Sequence, residues 1–577
     1  MSESQNTRLA QGMERYFFRA SAADFEKIPG APISYWLGKG VSGTFNGENL
    51  SALIETEGQN KTANNEKYVR LAWEVSKSKI GKNLRWLPYA KGGDYRKWFG
   101  NMQHLVDWSK EAREHYRKDS SCRLIAEHFW YREGITWTDI TSAGTAFRFL
   151  PEGATFDMSG PTAFFSNREE IFRSAALLNS TYTKYLLPVL NPTLHAQLRD
   201  IKSIPQLELA KNNPRCAEIS KLCIKAAEID WNSFEGSMGF SAHPLFLPEH
   251  RQPTLKANYH SLRTHWREMT LEMQRLEAEN NRIFIDAYGL QDELDEKVDR
   301  SEITLTCNPH YRYGGDKTQE ELEALLLADT MRELVSYAVG CMLGRYSLDE
   351  PGLILANQGE TLADYLDQVP QPSFPADDDN VIPVLDGDWF ADDITLRFRQ
   401  FLRVAFGEEH YDENLAFIEQ ALNVKGKRNY SLRDYFLSEF YADHVKRYKK
   451  RPIYWLFSSP KGSFNALIYM HRYRPDTVSV VLKYLRDYRE KLSTEKERQA
   501  SVSINPATSQ GDKTRALKEV DRLAKVLAEL EDYERDVLYP KATEQIAIDL
   551  DDGVKVNYLK FGAALKKIVG LDAKEED

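Results

Sequence analysis

Residues 85–101, RWLPYAKGGDYRKWFGN, hold the side chains of this sequence whose types and spacing point most directly to a chemistry. Arg85, Lys91, Arg96 and Lys97 are interleaved with Trp86, Tyr89, Tyr95, Trp98 and Phe99, and Gly92 and Gly93 let backbone amides approach a phosphate closely. Cations for phosphates and rings for stacking are the means of nucleic-acid binding. About forty positions on, GITWTDITSAGTAFRFLPEGATFD (134–157) reads as two short strands joined at Leu150-Pro151-Glu152-Gly153, with Arg148 beside the tip of the hairpin. Upstream, TEGQNKTANNEKYVR (56–70) is a loop by composition. Asn and Gln can read adenine bidentately, and Lys or Arg can read guanine.

The candidates for base edges are therefore Gln59, Asn60, Asn64, Asn65 and Arg148. Those for phosphates, guanine or stacking are Lys61, Arg70, Lys91, Tyr95, Arg96, Lys97 and Trp98, joined by Lys449, Lys450 and Arg451 of YKKRPIYWLFSSPKG (448–462). A solvated loop and a solvated basic helix end have the same compositions, and on composition alone both readings stay open.

These runs, in this order, resemble the target-recognition region of the PglX family, the adenine-specific DNA methyltransferases of the BREX phage-defence system, and of related single-chain restriction-modification enzymes. KIPGAPISYW (27–36), LNPTLHAQLRDIKSIP (190–205), DWNSFEGS (230–237), ITLTCNPHYRYGG (303–315), SYAVGCMLGRYSLD (336–349), RPIYWLFSS (451–459) and IDLDDGVKVNY (548–558) look like further stretches of that family. The resemblance begins in the middle of such an enzyme and runs to its C-terminus. It implies a DNA-recognition and clamp half whose partners are double-stranded DNA, a catalytic methyltransferase half and other BREX proteins. It also turns the polar loop from a solvated surface into a candidate reader of bases.

An N6-adenine methyltransferase needs a glycine-rich strand-to-helix turn for S-adenosylmethionine. It also needs an Asn/Asp-Pro-Pro-aromatic loop that grips the flipped adenine. The sequence offers neither. Its nearest approach, Asn308-Pro309-His310-Tyr311, has His310 where the second proline should stand and reads as an ordinary strand-to-loop exit. No catalytic residue is assigned, and S-adenosylmethionine is expected in the catalytic half. The alternative is a stand-alone DNA-binding specificity or regulatory subunit of a defence locus. A nuclease finds no support, because no credible strand pair carries a PD and downstream ExK carboxylate cluster.

The chain has 577 residues, 42% of them hydrophobic, enough for three or four domains with buried cores. No apolar run approaches the roughly 20 residues that cross a bilayer, and residues 1–18 lack the core of a secretory signal, so the expected location is the cytoplasm. The five cysteines show no CxxC pairing, and neither a disulfide framework nor a metal site is indicated. The net charge of −10 hides a strong asymmetry. Residues 61–98 carry ten Lys/Arg against three acids, and residues 444–474 carry eight against none. Asp377, Asp378, Asp379, Asp386, Asp388, Asp392 and Asp393 form an acidic block that should avoid phosphate.

The elements that must position these residues point to an α+β fold: a mixed α/β target-recognition domain followed by largely helical hinge and C-terminal domains. Residues 1–24 read as a tether and 25–205 as the target-recognition domain, with strands at 34–37 and 146–150. Residues 206–300 form a helical hinge in which Leu262, Trp266, Met269, Met273 and Leu276 follow a three-or-four spacing. Residues 301–385 are a helical block with an acidic, Pro-rich linker at 370–383. In the helical C-terminal domain, 386–577, an antiparallel helix pair is expected at 477–500 and 512–537, and Tyr454, Trp455 and Phe457 are expected in a core strand.

Overall fold

The computed structural model describes residues 22–56, 58–206, 208 and 212–573. The tether at 1–24 falls outside them up to residue 21. The fold is α+β, with three small sheets embedded among many helices. The first sheet has the order β1-β3-β2-β6, built from β1 (Val69–Leu71), β2 (Trp86–Ala90), β3 (His104–Asp107) and β6 (Thr155–Phe156). Strand β3 pairs antiparallel with both β1 and β2, whereas β6 runs parallel to β2. The second has the order β5-β4-β7, from β4 (Gly134–Thr136), β5 (Arg148–Leu150) and β7 (Thr162–Ala163). The turn at 151–153 is therefore not a hairpin: β5 pairs with β4, and the chain leaves the turn to join β2 in the other sheet. Gly153, with φ of +85°, makes that exit with no Cβ to strain. Residues 34–37, expected as a strand, form a turn, and Tyr35 and Trp36 lie about half exposed.

The third sheet, β8-β10-β9, is made by β8 (Ile382–Pro383), β9 (Tyr454–Ser458) and β10 (Asn465–Tyr469). Every residue of β9 is buried, as its unbroken apolar run requires when both faces are covered, and Trp455 pairs with Ile468. Strand β8 corrects the reading of 370–383 as a linker. Phe374, Ala376, Val381 and Ile382 are core residues there, and the prolines shape a packed segment. The acidic block is in part internal too: Asp377 and Asp393 are buried, and Arg433 lies 3.3 Å from Asp393.

Among the helices that matter for the site, α1 (Asn65–Tyr68) is a single turn, and α2 (Pro214–Asn232) and α3 (Leu255–Tyr288) pack against each other. Helix α3 buries Leu262, Trp266, Met273 and Leu276 in one continuous core that extends from Val41 to Leu571. The apolar stripe read as a hinge is thus packed into the same core as the segments on either side of it. Helix α4 (Phe440–Arg447) ends just before β9, and α5 (Thr477–Ile504) and α6 (Gln510–Tyr533) form the expected hairpin. Helix α7 (Gly553–Leu559) closes back on the first sheet. There the Asp551 carboxylate, 4% exposed, accepts from Lys79 at 2.6 Å, Arg85 at 2.7 Å and the Trp86 indole at 2.9 Å. No helix among the described residues is long and apolar enough to cross a membrane.

Candidate nucleic-acid interface

Much of the aromatic and basic run lies inside the protein. Arg96 is buried, donates to the Asp230 carboxylate of α2 at 3.1 Å, and lies over the rings of Trp231 and Tyr311. The Lys97 ammonium is paired with Glu277 of α3, whose other oxygen accepts from the Trp98 indole at 2.7 Å. Burial pulls the Lys97 ammonium down, but Glu277 more than offsets it and holds the group above its ordinary value. Arg148 is 2% exposed and donates to the Arg96 carbonyl and to Thr138, leaving its Nε without a partner. Burial, and then the charge of Arg96, lowers its guanidinium to about 10.

Arg96, Lys97 and Trp98 therefore fasten this segment to the helices, Arg148 is buried behind them against the Arg96 carbonyl, and a duplex cannot reach any of the four in this structure. Asn60 is corrected in the same way. It is 3% exposed, donates to Thr155 and the Phe156 carbonyl, and accepts from the Ile125 amide at 2.8 Å. A stretch rich in cations and rings looks alike whether it faces DNA or neighbouring helices, and burial decides between the two.

The other candidates are nearer the surface. Gln59 and Lys61 are half-buried, and the Lys61 backbone pairs with Arg123. Lys91 lies 3.7 Å from Asp157, and Tyr95 is half-buried with its carbonyl accepting from the Tyr311 hydroxyl. Asn65 accepts from the Thr62 hydroxyl at 3.2 Å. None of these lines the largest convergence of candidates, a cleft of about 620 Å³ between the first sheet and the C-terminal helices.

Asn64, Arg70, Lys449 and Arg451 all line that cleft, from segments nearly four hundred residues apart in sequence. Asn64 is the N-cap of α1, its Oδ1 accepting from the Lys67 amide at 3.0 Å, and its amide nitrogen makes no hydrogen bond among the described residues. A short polar side chain is needed there because the first amides of a helix have no partner within it. Arg70 leans on the Trp86 ring and donates through Nε to the Asp551 carbonyl at 3.0 Å, and burial lowers its guanidinium. Lys449 is solvent-exposed by surface area although well enclosed by neighbouring atoms, and that enclosure lowers its ammonium.

The cleft also gathers Lys67, His104 of β3 and Lys555 of α7, which the sequence reading did not single out. Lys67 belongs to the basic stretch 61–98, but nothing local marks Lys555, which reaches the cleft only because α7 folds back. Burial, followed by the charges of Lys449 and Lys91, lowers His104 to about 3, so its ring is neutral at any physiological pH. Three acids stand among the cations. Glu66 pairs with Lys555 at 2.5 Å, Glu74 is buried and raised by that burial, and Asp552 is exposed. The cleft is thus mixed in charge, with an amide and several cations among three acids. That mixture suits base-edge recognition better than simple adhesion to phosphate.

The Asn308 side chain is turned inward. It is 1% exposed and caps the short helix Pro309–Tyr313, its amide donating to the Arg300 and Ile303 carbonyls. Among the described residues one group could offer three metal ligands, His115, Asp119 and Cys122. The Cys122 thiol donates to the Thr62 carbonyl, sixty residues away in sequence, and Asp119 accepts from Ser121 in its own turn, so two of the three already have partners.

No family model matches the chain. The adenine-specific methyltransferase BrxX of Escherichia coli O9:H4 (strain HS) is 36% identical over 568 residues, which cover 95% of this chain and 46% of that protein. The adenine-specific methyltransferase PglX of Lacticaseibacillus casei (strain Zhang) is 32% identical over 583 residues, 96% of this chain and 46% of that protein. The chain spans about half the length of these relatives.

Proposed function

We propose that this chain, a relative of the PglX-type adenine-specific methyltransferases along nearly its whole length, is the DNA-recognition part of a BREX-type N6-adenine methyltransferase. Cofactor binding and methyl transfer are then the work of a catalytic part carried elsewhere. The observation that carries the reading is the cleft in which Asn64, Lys67, Arg70, Lys449, Arg451 and Lys555 converge, on a chain that matches about half of two such enzymes. In this reading the cleft admits the edge of a duplex. Asn64 offers its free amide nitrogen to a base, and the surrounding cations hold the flanking phosphates. The target adenine is flipped into the catalytic part, which holds S-adenosylmethionine. The inward commitment of the Asn308 amide supports leaving the adenine-gripping loop to that part. The complex acts on cytoplasmic DNA, together with other proteins of the defence system.

Co-expression with a catalytic half, followed by sequencing that detects N6-methyladenine, tests the division of labour. The expected result is modification at one asymmetric motif only when both parts are present, with no stoichiometric S-adenosylmethionine binding by this chain in a calorimetric titration. Methylation at the same motif by the catalytic half alone would overturn the proposal, and so would a one-to-one cofactor complex with this chain.

A further inference from the structure

Beyond Lys449 the first cleft meets a second groove of about 760 Å³, and its charge is of one sign. Lys446, Lys449, Lys450, Lys461, Lys566 and Lys567 line it without a single carboxylate, over an apolar floor that includes Phe436, Leu456 and Ile568. All six lysines are exposed, and none makes an ion pair among the described residues. Two acids act on them from outside the lining, Asp94 on Lys449 and Glu529 on Lys461. Glu529 is 9% exposed and already holds the β9–β10 turn, accepting from the Lys461 amide and from the Ser459 and Ser463 hydroxyls.

The three walls come from separate parts of the chain, and each is fastened. The first is the turn after α4, held by the Lys450 amide on the Val445 carbonyl at 2.8 Å, where Lys449 and Lys450 have φ of +50° and +61°. Consecutive lysines in the left-handed region are strained where glycine or asparagine would be relaxed. The second is the β9–β10 turn, held by Glu529. The third is the C-terminal segment, which pairs with the free edge of β9 through Phe457 and Leu565 and through the Lys566 amide on the Leu456 carbonyl at 2.8 Å. Six like charges on a fixed frame repel one another, and only an anion with several charges relieves all of them together. Lysine supplies mobile point charges and not the planar fork that reads a base edge, so the groove is suited to repeated phosphates of any sequence.

We infer that the lysine groove holds the phosphate backbone of duplex DNA without regard to sequence, next to the cleft that reads the bases. This inference rests on the recognition function proposed above and assigns a separate part of the duplex to Lys450, Lys461, Lys566 and Lys567.

The test is fluorescence anisotropy of the whole chain on random-sequence and motif-containing duplexes over a range of salt, with Lys450, Lys566 and Lys567 changed together to Gln. Each phosphate contact contributes a slope of about −0.9 to log K against log salt. The triple Gln variant should therefore be shallower by about two to three units and at least about tenfold weaker at low salt on both duplexes, with the preference for the motif unchanged. The matching Lys→Arg triple should keep the slope of the parent. A parent that binds duplex and a Gln variant with the same slope would overturn the groove while leaving the recognition reading intact. A parent that binds no duplex even at low salt would remove both. Polyglutamate competing as well as duplex at equal charge would reassign the groove to an acidic protein and overturn the nucleic-acid assignment.

Discussion

In Lys97→Met an apolar chain of similar length replaces the ammonium that pairs with Glu277, while the backbone amide of residue 97 keeps its bond to Thr304 at 2.9 Å. What changes is the surroundings of Glu277, whose side chain is 3% exposed and is left with the Trp98 indole as its donor. Breaking a buried pair by removing one partner costs about 3–5 kcal/mol, because the other charge stays buried without compensation. Changing Glu277 to Gln in the same molecule removes that charge and keeps an acceptor for Trp98, so the double variant should recover to within about 1–2 kcal/mol of the parent. Urea denaturation followed by fluorescence measures both, and an interaction energy of about 2 kcal/mol or more in the four-corner cycle is the expected signature. DNA affinity of the folded double variant should match the parent. A single Lys97→Met variant that is as stable as the parent but binds duplex poorly would refute the internal role of Lys97 and return its side chain to the DNA-facing surface.

Asn64→Ser keeps a side chain that caps α1 and removes the amide, so it should leave the urea midpoint in place while costing about 1–3 kcal/mol of discrimination at one base pair in competition binding. Equal losses on every single-base variant would mean that the loop only positions the backbone. Burial, with Asp379 beside it, pushes the Asp377 carboxyl up to about 7, whereas an aspartate in the unfolded chain titrates at about 3.9. Between those values the folded chain holds a proton that the unfolded chain has lost, so this group makes stability fall as pH rises from about 4 to about 7. Asp377→Asn should reduce that fall when urea midpoints at pH 5 and pH 8 are compared, and an unchanged difference between them would contradict the assignment.

The α+β class, the helical hairpin α5–α6 and the buried strand β9 were legible because each depends on local periodicity: a three-or-four spacing along Val520, Leu523, Leu527 and Leu530, and an unbroken apolar run through Tyr454, Trp455 and Phe457. The segment 370–383 was not, because prolines and aspartates look like a linker until Arg472 and β10 are known to lie against them. The candidate DNA-contact residues divide in the same way. Arg96, Lys97 and Trp98 have the composition of a DNA contact, yet their partners Asp230 and Glu277 lie more than a hundred residues away on α2 and α3, and no local pattern announces that pairing.

The reverse holds for Lys555, Lys566 and Lys567. Their own stretch is unremarkable in charge, and they acquire meaning only when the C-terminal segment returns to β9 and to the first sheet. Composition therefore reported that this chain carries excess cations in two regions, and long-range packing determined which of them face outward. Of the lysines retained at the surface after α4, Lys449 stands where the two clefts meet and Lys450 lines the second. The cations of the aromatic run instead fasten residues 96–98 to α2 and α3 through Asp230 and Glu277, and such support is what the proposed reading of bases requires if the polar groups of the cleft are to keep register with a duplex.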